Sequence, residues 1–412
     1  MKISNSRPYL LYVLLIFTPL ARGGVQGWAI TLIHILTLLA VTVFFIRAGL
    51  DGRLKWIKTP LDTPLLLLLL VIGAATVFSM DPGLSFWSSL LFLNYVAVFY
   101  LTIQAVRTRS GLRELLLVVI GVAFFLSVFG FIKTLGGNPF PWWDYTDLNQ
   151  AGSFASTYGN RNHLAGYMEM AIPLLLGLYL TGLGGWKMLL AGYVTLVLIA
   201  ALLLSLSRGG WSAAFIGLVF MGVCLLCDRR FKRKAFIVTG MVGVLVVTFL
   251  ALSSTPVVER ILTVSNAEGE PSLQSRVTVW GGVIEMMKER PLLGSGPGTF
   301  PYAYTKYQPA GLRLHFTMAH NDYLHAAAEV GIPLLAVALW MAVALYGRGL
   351  RKLGNASRLV RGTTLGALSG ITAILVHSIF DFNLHIPANA ILFAVLCAIV
   401  VAPVPEDNLG NR

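Results

Sequence analysis

Two arginines, a histidine and one glycine-rich turn are the features of this chain whose residue types suit chemistry. Arg208 lies in SLSRGGW (205–211), where two apolar runs meet. Arg276 lies in QSRVTVW (274–280), and His320 opens HNDYLHAAAEVG (320–331). Between them runs PLLGSGPGTF (291–300). A guanidinium is a planar, always-charged fork matched to phosphate oxygens. Near a bilayer it is costly unless it meets an anion or snorkels to the surface. An imidazole exchanges a proton near neutral pH, which suits a general base toward a sugar hydroxyl. Successive N–H groups of a glycine-rich turn can cradle an anion. Cations and a histidine gathered on one side of a membrane point to an anionic, lipid-linked substrate.

Each feature also has a plainer role. Arg208 can mark the boundary of a helical hairpin, Arg276 can be a solvated face charge, and His320 can cap a helix. His325 and Glu329, at i and i+4, are spaced to pair with each other. Glu169 and Asp381 are further acids, open to a structural or an acceptor-site role. His315, His320 and His325 are five apart and share no helical face, and no H-E-x-x-H is present, so neither a metal nor a cofactor is expected. Cys224 and Cys227 form a C-x-x-C in Leu-rich sequence, where small apolar filler is the better account.

The elements that must hold these residues are membrane helices. Hydrophobic residues make up 56% of the 412 and charged residues 12%, far from a soluble domain. Apolar runs at about 9–21, 28–46, 61–79, 84–104, 112–132, 164–181, 187–206, 209–227, 235–252, 321–346, 359–380 and 387–403 predict an all-α polytopic protein of about twelve transmembrane helices in a single domain, 1–412. Most of the 31 basic residues fall in alternate, mostly short loops, such as Arg47 to Lys58, Arg107 to Arg113, Arg229 to Lys234 and Arg348 to Arg361. That bias predicts both termini in the cytoplasm. The net charge of +13 is therefore mainly topological and not a nucleic-acid signal. Two long segments, 133–163 and 253–320, fall on the outer side. In the first, PFPWWDYTD (139–147) reads as an interfacial loop. In the second, Val277, Trp280, Ile284 and Met287 predict an amphipathic helix over 272–290, stopped by Pro291.

The motifs SRGG (207–210), SRVTVW (275–280), PLLGSGPGTF, HN followed by Gly331, and GNRNHLAGYMEMAIPL (159–174) together resemble the O-antigen ligase family. Its superfamily also holds O-antigen polymerases and protein O-oligosaccharyltransferases. The resemblance covers roughly 150–390. It implies a fold of the C-type glycosyltransferase kind in the bacterial inner membrane, with a periplasmic active site. The implied donor is a glycan on undecaprenyl pyrophosphate, and the implied acceptor is lipid A-core or another glycan. By that similarity Arg208 and Arg276 hold the pyrophosphate and His320 acts at the acceptor hydroxyl, with Arg161 and Asn321 counted among the substrate-binding residues. An anomeric pyrophosphate is already a good leaving group, so two arginines and one base suffice for metal-independent, inverting transfer. The alternatives are an O-antigen or exopolysaccharide polymerase, a protein-directed transferase, or a membrane transporter.

Overall fold

The computed structural model describes residues 8–50, 52, 56–140, 153–179, 181, 183–227, 243, 273–308 and 316–406, and among these it contains helices and no named strand. The longer ones, in chain order, are α1 (Tyr9–Leu20), α2 (Gly27–Leu50), α3 (Asp62–Val77), α4 (Pro82–Ala105), α5 (Arg109–Gly136), α6 (Arg161–Tyr179), α7 (Trp186–Leu204), α8 (Arg208–Cys227), α9 (Leu273–Glu289), α10 (Asp322–Val330), α11 (Ile332–Lys352), α12 (Arg358–His377) and α13 (Pro387–Val401). Local chemistry starts several of them. Asp81 caps α4 by accepting from Leu84 N at 3.0 Å, Thr108 caps α5 through Gly111 N at 3.1 Å, and Asn321 caps α10 through Leu324 N at 2.9 Å. Among the described residues, seven helices (α2, α4, α5, α7, α8, α11 and α12) are long and apolar enough to cross a bilayer, while α1, α3 and α13 are shorter apolar helices. The chain is a multi-pass membrane protein.

At the centre, α12 packs against α6 and α8. Gly362, Gly366 and Gly370 recur every fourth residue on α12, and a Cβ on any of them would strike backbone of α6 at Gly177, Pro173 or Met170. Close approach of small residues is how apolar helices gain packing in lipid, where no hydrophobic force drives them together. Buried along α6 are Asn162, His163 and Glu169. The central helices therefore carry polar groups that lipid-facing helices could not.

The connections gather at two ends. At the first end, Met80 N donates to Ser295 O at 2.9 Å and Asp322 N to Ser378 O at 2.8 Å. At the second, Glu406 N donates to Arg107 O at 2.8 Å, and Lys352 Nζ donates to Ile399 O at 2.8 Å and Ala402 O at 2.9 Å. Arg208, Arg276 and His320 belong to the first end.

Several sequence expectations need adjustment. The run taken as one span over 321–346 is two helices, α10 and α11, broken at Gly331 with φ of 98°. Pro333 starts the second, so α10 stands apart from the span. The segment expected over 133–163 is narrower, because α5 continues to Gly136 and α6 begins at Arg161. The amphipathic helix is found as α9, but it has two apolar faces. Val279, Val283 and Met286 pack with Phe300, Tyr304, Phe316, Ala319 and Ala328, while Val277 and Ile284 remain exposed. The run at 235–252 apart from Gly243, most of PFPWWDYTD, and residues 253–272 lie outside the described residues.

Candidate active site

The turn between α12 and α13, Ser378 to Ile386, is the platform on which Arg276 and His320 meet. Arg276 reaches it from α9, its Nη1 donating to the carbonyl of Phe380. The Arg276 Nε is buried and has no hydrogen-bond partner. His320 reaches the same turn from the other side. Its Nδ1 lies 3.8 Å from Asp381 Oδ1, too far for a direct hydrogen bond, and is likewise buried without a partner. Its ring meets Phe382 edge-on, with centroids 5.0 Å apart. His163, from the first turn of α6, meets the same Phe382 ring at 4.8 Å. Phe382 is thus held between two imidazoles.

His320 does not begin the helix as expected. Asn321 is the cap, and His320 precedes it with φ of 50°. This left-handed conformation is uncommon outside glycine. It turns the His320 side chain back toward Asp381 while the chain enters α10.

Asp381 is buried, and its Oδ1 accepts from Phe382 N at 2.8 Å. Burial opposes its charge. His320, His163 and His377 around it outweigh that effect and hold its carboxyl well below the ordinary aspartate range. One turn back, His377 Nδ1 lies 3.0 Å from Glu169 Oε2, both fully buried at the α6–α12 seam.

Arg208 opens α8 with an exposed side chain. The two glycines after it permit close packing. A Cβ on Gly209 would lie 2.9 Å from His377 Nε2, and one on Gly210 would lie 2.6 Å from Ala165 Cβ. They let α8 seat closely against the His377–Glu169 pair. Arg208 therefore stands at the edge of the same polar cluster. Arg161 opens α6 two residues before His163 and is half-buried. Asn321 Oδ1 is engaged by its capping bond, so the structure gives that residue a positioning part.

The glycine-rich turn is also corrected. Its N–H groups face an internal anion. Gly298 N and Phe300 N donate to the two oxygens of Glu329 at 2.9 and 2.8 Å, Gly296 N to Glu329 O at 2.8 Å, and Ser295 N to Ala328 O at 3.0 Å. The expected cradle is already filled by α10. Burial opposes charge on Glu329 as well, but His325, the Gly298 N–H and His385 outweigh it and lower the carboxyl.

Beside it lie His325, with Nε2 3.3 Å from Glu329 Oε1, and His385, with Nδ1 2.6 Å from Asp322 Oδ1. Asp322 also accepts from Ser378 Oγ at 2.8 Å and Leu384 N at 3.0 Å, which fixes the turn to α10. His325, Glu329 and His385 each place one ligand atom within 4.8 Å of the others. Within that set, Glu329 also holds the N–H groups of the turn and His385 also holds Asp322.

His163, His377, His385, Asp322 and Phe382 were missed by the motif reading. A signal for them was present in HSIFDFNLH (377–385), where two histidines bracket an aspartate between the last two apolar runs. What the cluster can do is clear from its parts. An imidazole stands beside a buried carboxylate, and one guanidinium holds the platform's backbone. No curated protein matches the chain. The family model described as O-antigen ligase matches residues 193–339, the stretch that holds Arg208, Arg276 and His320.

Proposed function

We propose that the chain transfers a glycan from undecaprenyl pyrophosphate to a hydroxyl on lipid A-core at the periplasmic face. The observation that carries this is the convergence of Arg276 and His320, from separate segments, on the Phe380–Phe382 turn. In this reading Arg276 and Arg208 take the pyrophosphate oxygens, where negative charge grows as the anomeric C–O bond breaks. His320 takes the proton of the acceptor hydroxyl as that oxygen attacks the opposite face of the anomeric carbon. The result is one displacement, with inversion and without a metal. Asp381 steadies the imidazolium that forms. Fixed charges in a water-poor site need no reorganisation during the reaction, which is why they stabilise the transition state better than water does. Arg161 adds a further cation at the rim.

The test is the glycolipid profile of the source organism after deletion of the gene and complementation with wild type, Arg208→Ala or His320→Ala. Deletion should leave bare core while long polymer accumulates on the lipid carrier. Each variant, present at normal level in the membrane, should restore transfer about 10²–10³-fold less well. Core carrying a single repeat unit would instead identify a polymerase. Near-normal transfer by either variant would sink the mechanism, and so would loss of transfer by the purified protein in EDTA.

A further inference from the structure

The end of the bundle opposite His320 holds a hollow of about 340 Å³ lined by Lys58, Pro60, Arg348, Arg351, Val401 and Pro403. Three elements form it: the segment leading into α3, the last turns of α11, and the end of α13. Three of the six lining residues are cations and none is an acid. A volume near the lower end of the ~300–1,000 Å³ usual for small-ligand sites suits a phosphate-bearing headgroup.

The basic bias of this end explains why cations occur there but not why these three line one hollow with no described carboxylate beside them. Neighbouring cations at the same end are differently placed. Lys352 is buried and donates to the carbonyls of Ile399 and Ala402, and Arg361 donates to those of Asn355 and Ala356. By contrast, among the described residues the lining cations' only bond is Arg351 Nε to Gly347 O of its own helix, at 2.9 Å. Among the described residues, none of Lys58, Arg348 and Arg351 has a carboxylate in ion-pair reach. Like charges facing one cavity repel one another, and an anion in the hollow converts that repulsion to attraction.

The surroundings give the anion a character. Val401 is buried, while Trp56, Leu350 and Val404, next in sequence to the lining segments, are exposed apolar side chains. A charged recess bordered by apolar surface at a helix end is the form that takes a phosphate with acyl chains beside it. From this we infer a binding site for a phosphate group on the face away from the reaction centre, of the kind an anionic phospholipid carries. The inference stands apart from the glycan-transfer reading and uses none of its residues.

The test uses the full chain purified in mild detergent and native mass spectrometry with phosphatidylglycerol, phosphatidylethanolamine or inorganic phosphate. Wild type should hold one phosphatidylglycerol about tenfold more tightly than a Lys58→Gln/Arg348→Gln/Arg351→Gln variant. A control variant, Arg47→Gln/Lys187→Gln/Arg358→Gln, removes three charges from the same end outside the hollow and should retain the lipid. If millimolar inorganic phosphate displaces the lipid, the site takes phosphate from either source. If it does not, the headgroup and its chains are needed together. Equal retention by the triple variant, or equal loss by the control, overturns the inference. Should the triple variant fail to fold, Arg348→Gln and Arg351→Gln singly should each weaken retention about threefold, and no change in either would have the same force.

Discussion

His385 shows at the scale of one residue how the acid–imidazole pairs respond to pH. Burial pulls its basicity down, but the hydrogen bond and charge of Asp322, helped by Glu329, outweigh that and leave it raised. A raised histidine stabilises the fold fully below its unfolded value of about 6.5 and ceases to do so as pH climbs through the folded value. His385→Gln should therefore lower the Tm in detergent by about 2 °C more at pH 6 than at pH 9. Equal losses at the two pH values would show that Asp322 gains nothing from the imidazolium. Asp381 has the opposite sign. Its carboxyl is depressed, so its contribution is present above the ordinary aspartate range and is lost only as pH falls through the folded value.

The glycine-rich turn and α10 behave as one element. The turn lies on α4 so closely that a Cβ on Gly298 would come within 2.0 Å of Ser88 Oγ, and Gly298 has φ of 78°. Gly298→Ala should cost about 1–3 kcal/mol from clash and strain, read as a drop in unfolding temperature. Adding Ser88→Gly should recover only the steric part. Full recovery would mean the left-handed backbone costs nothing there. The sequence showed this turn and α10 as separate motifs because Glu329 lies 31 residues from Gly298, and no local pattern announces a bond of that span. For the same reason the broken helix at Gly331 was hidden. The apolar pattern of α10 runs into that of α11, and only the backbone conformation separates them. By contrast, α9 was legible because its period is intact. Its second apolar face was not, since which stripe is buried depends on the partners Phe300 and Phe316.

For the whole molecule, what could be read early was the helical class and the division of charge between two ends. Hydropathy and lysine–arginine placement record the membrane directly, whereas the central α6–α8–α12 packing rests on glycine spacing that looks unremarkable in one dimension. Of the candidate site, Arg276 and His320 stood out by type and motif. The platform that unites them was not, because Asp381 lies 61 residues after His320 in sequence and reaches it only through the tertiary fold. The two-ended arrangement makes its own prediction. In a cysteine-free background, a membrane-impermeant maleimide applied to intact spheroplasts should label Tyr302→Cys and spare Asn355→Cys, with both labelled after lysis. Reversed labelling would invert the orientation and put the candidate site in the cytoplasm.

The left-handed backbone at His320 bears on how any substitution there is interpreted. Replacing it with alanine removes the imidazole and also asks a residue with no local hydrogen-bonding group to keep φ near 50°, so a dead variant confounds lost chemistry with a relaxed loop. Asparagine tolerates that conformation far better and has no usable proton acceptor of comparable basicity. The His320→Asn protein is therefore the matched control, and the difference between it and His320→Ala measures how far the bend itself, apart from the side chain it displays, holds the entrance to α10 in register with the turn it faces.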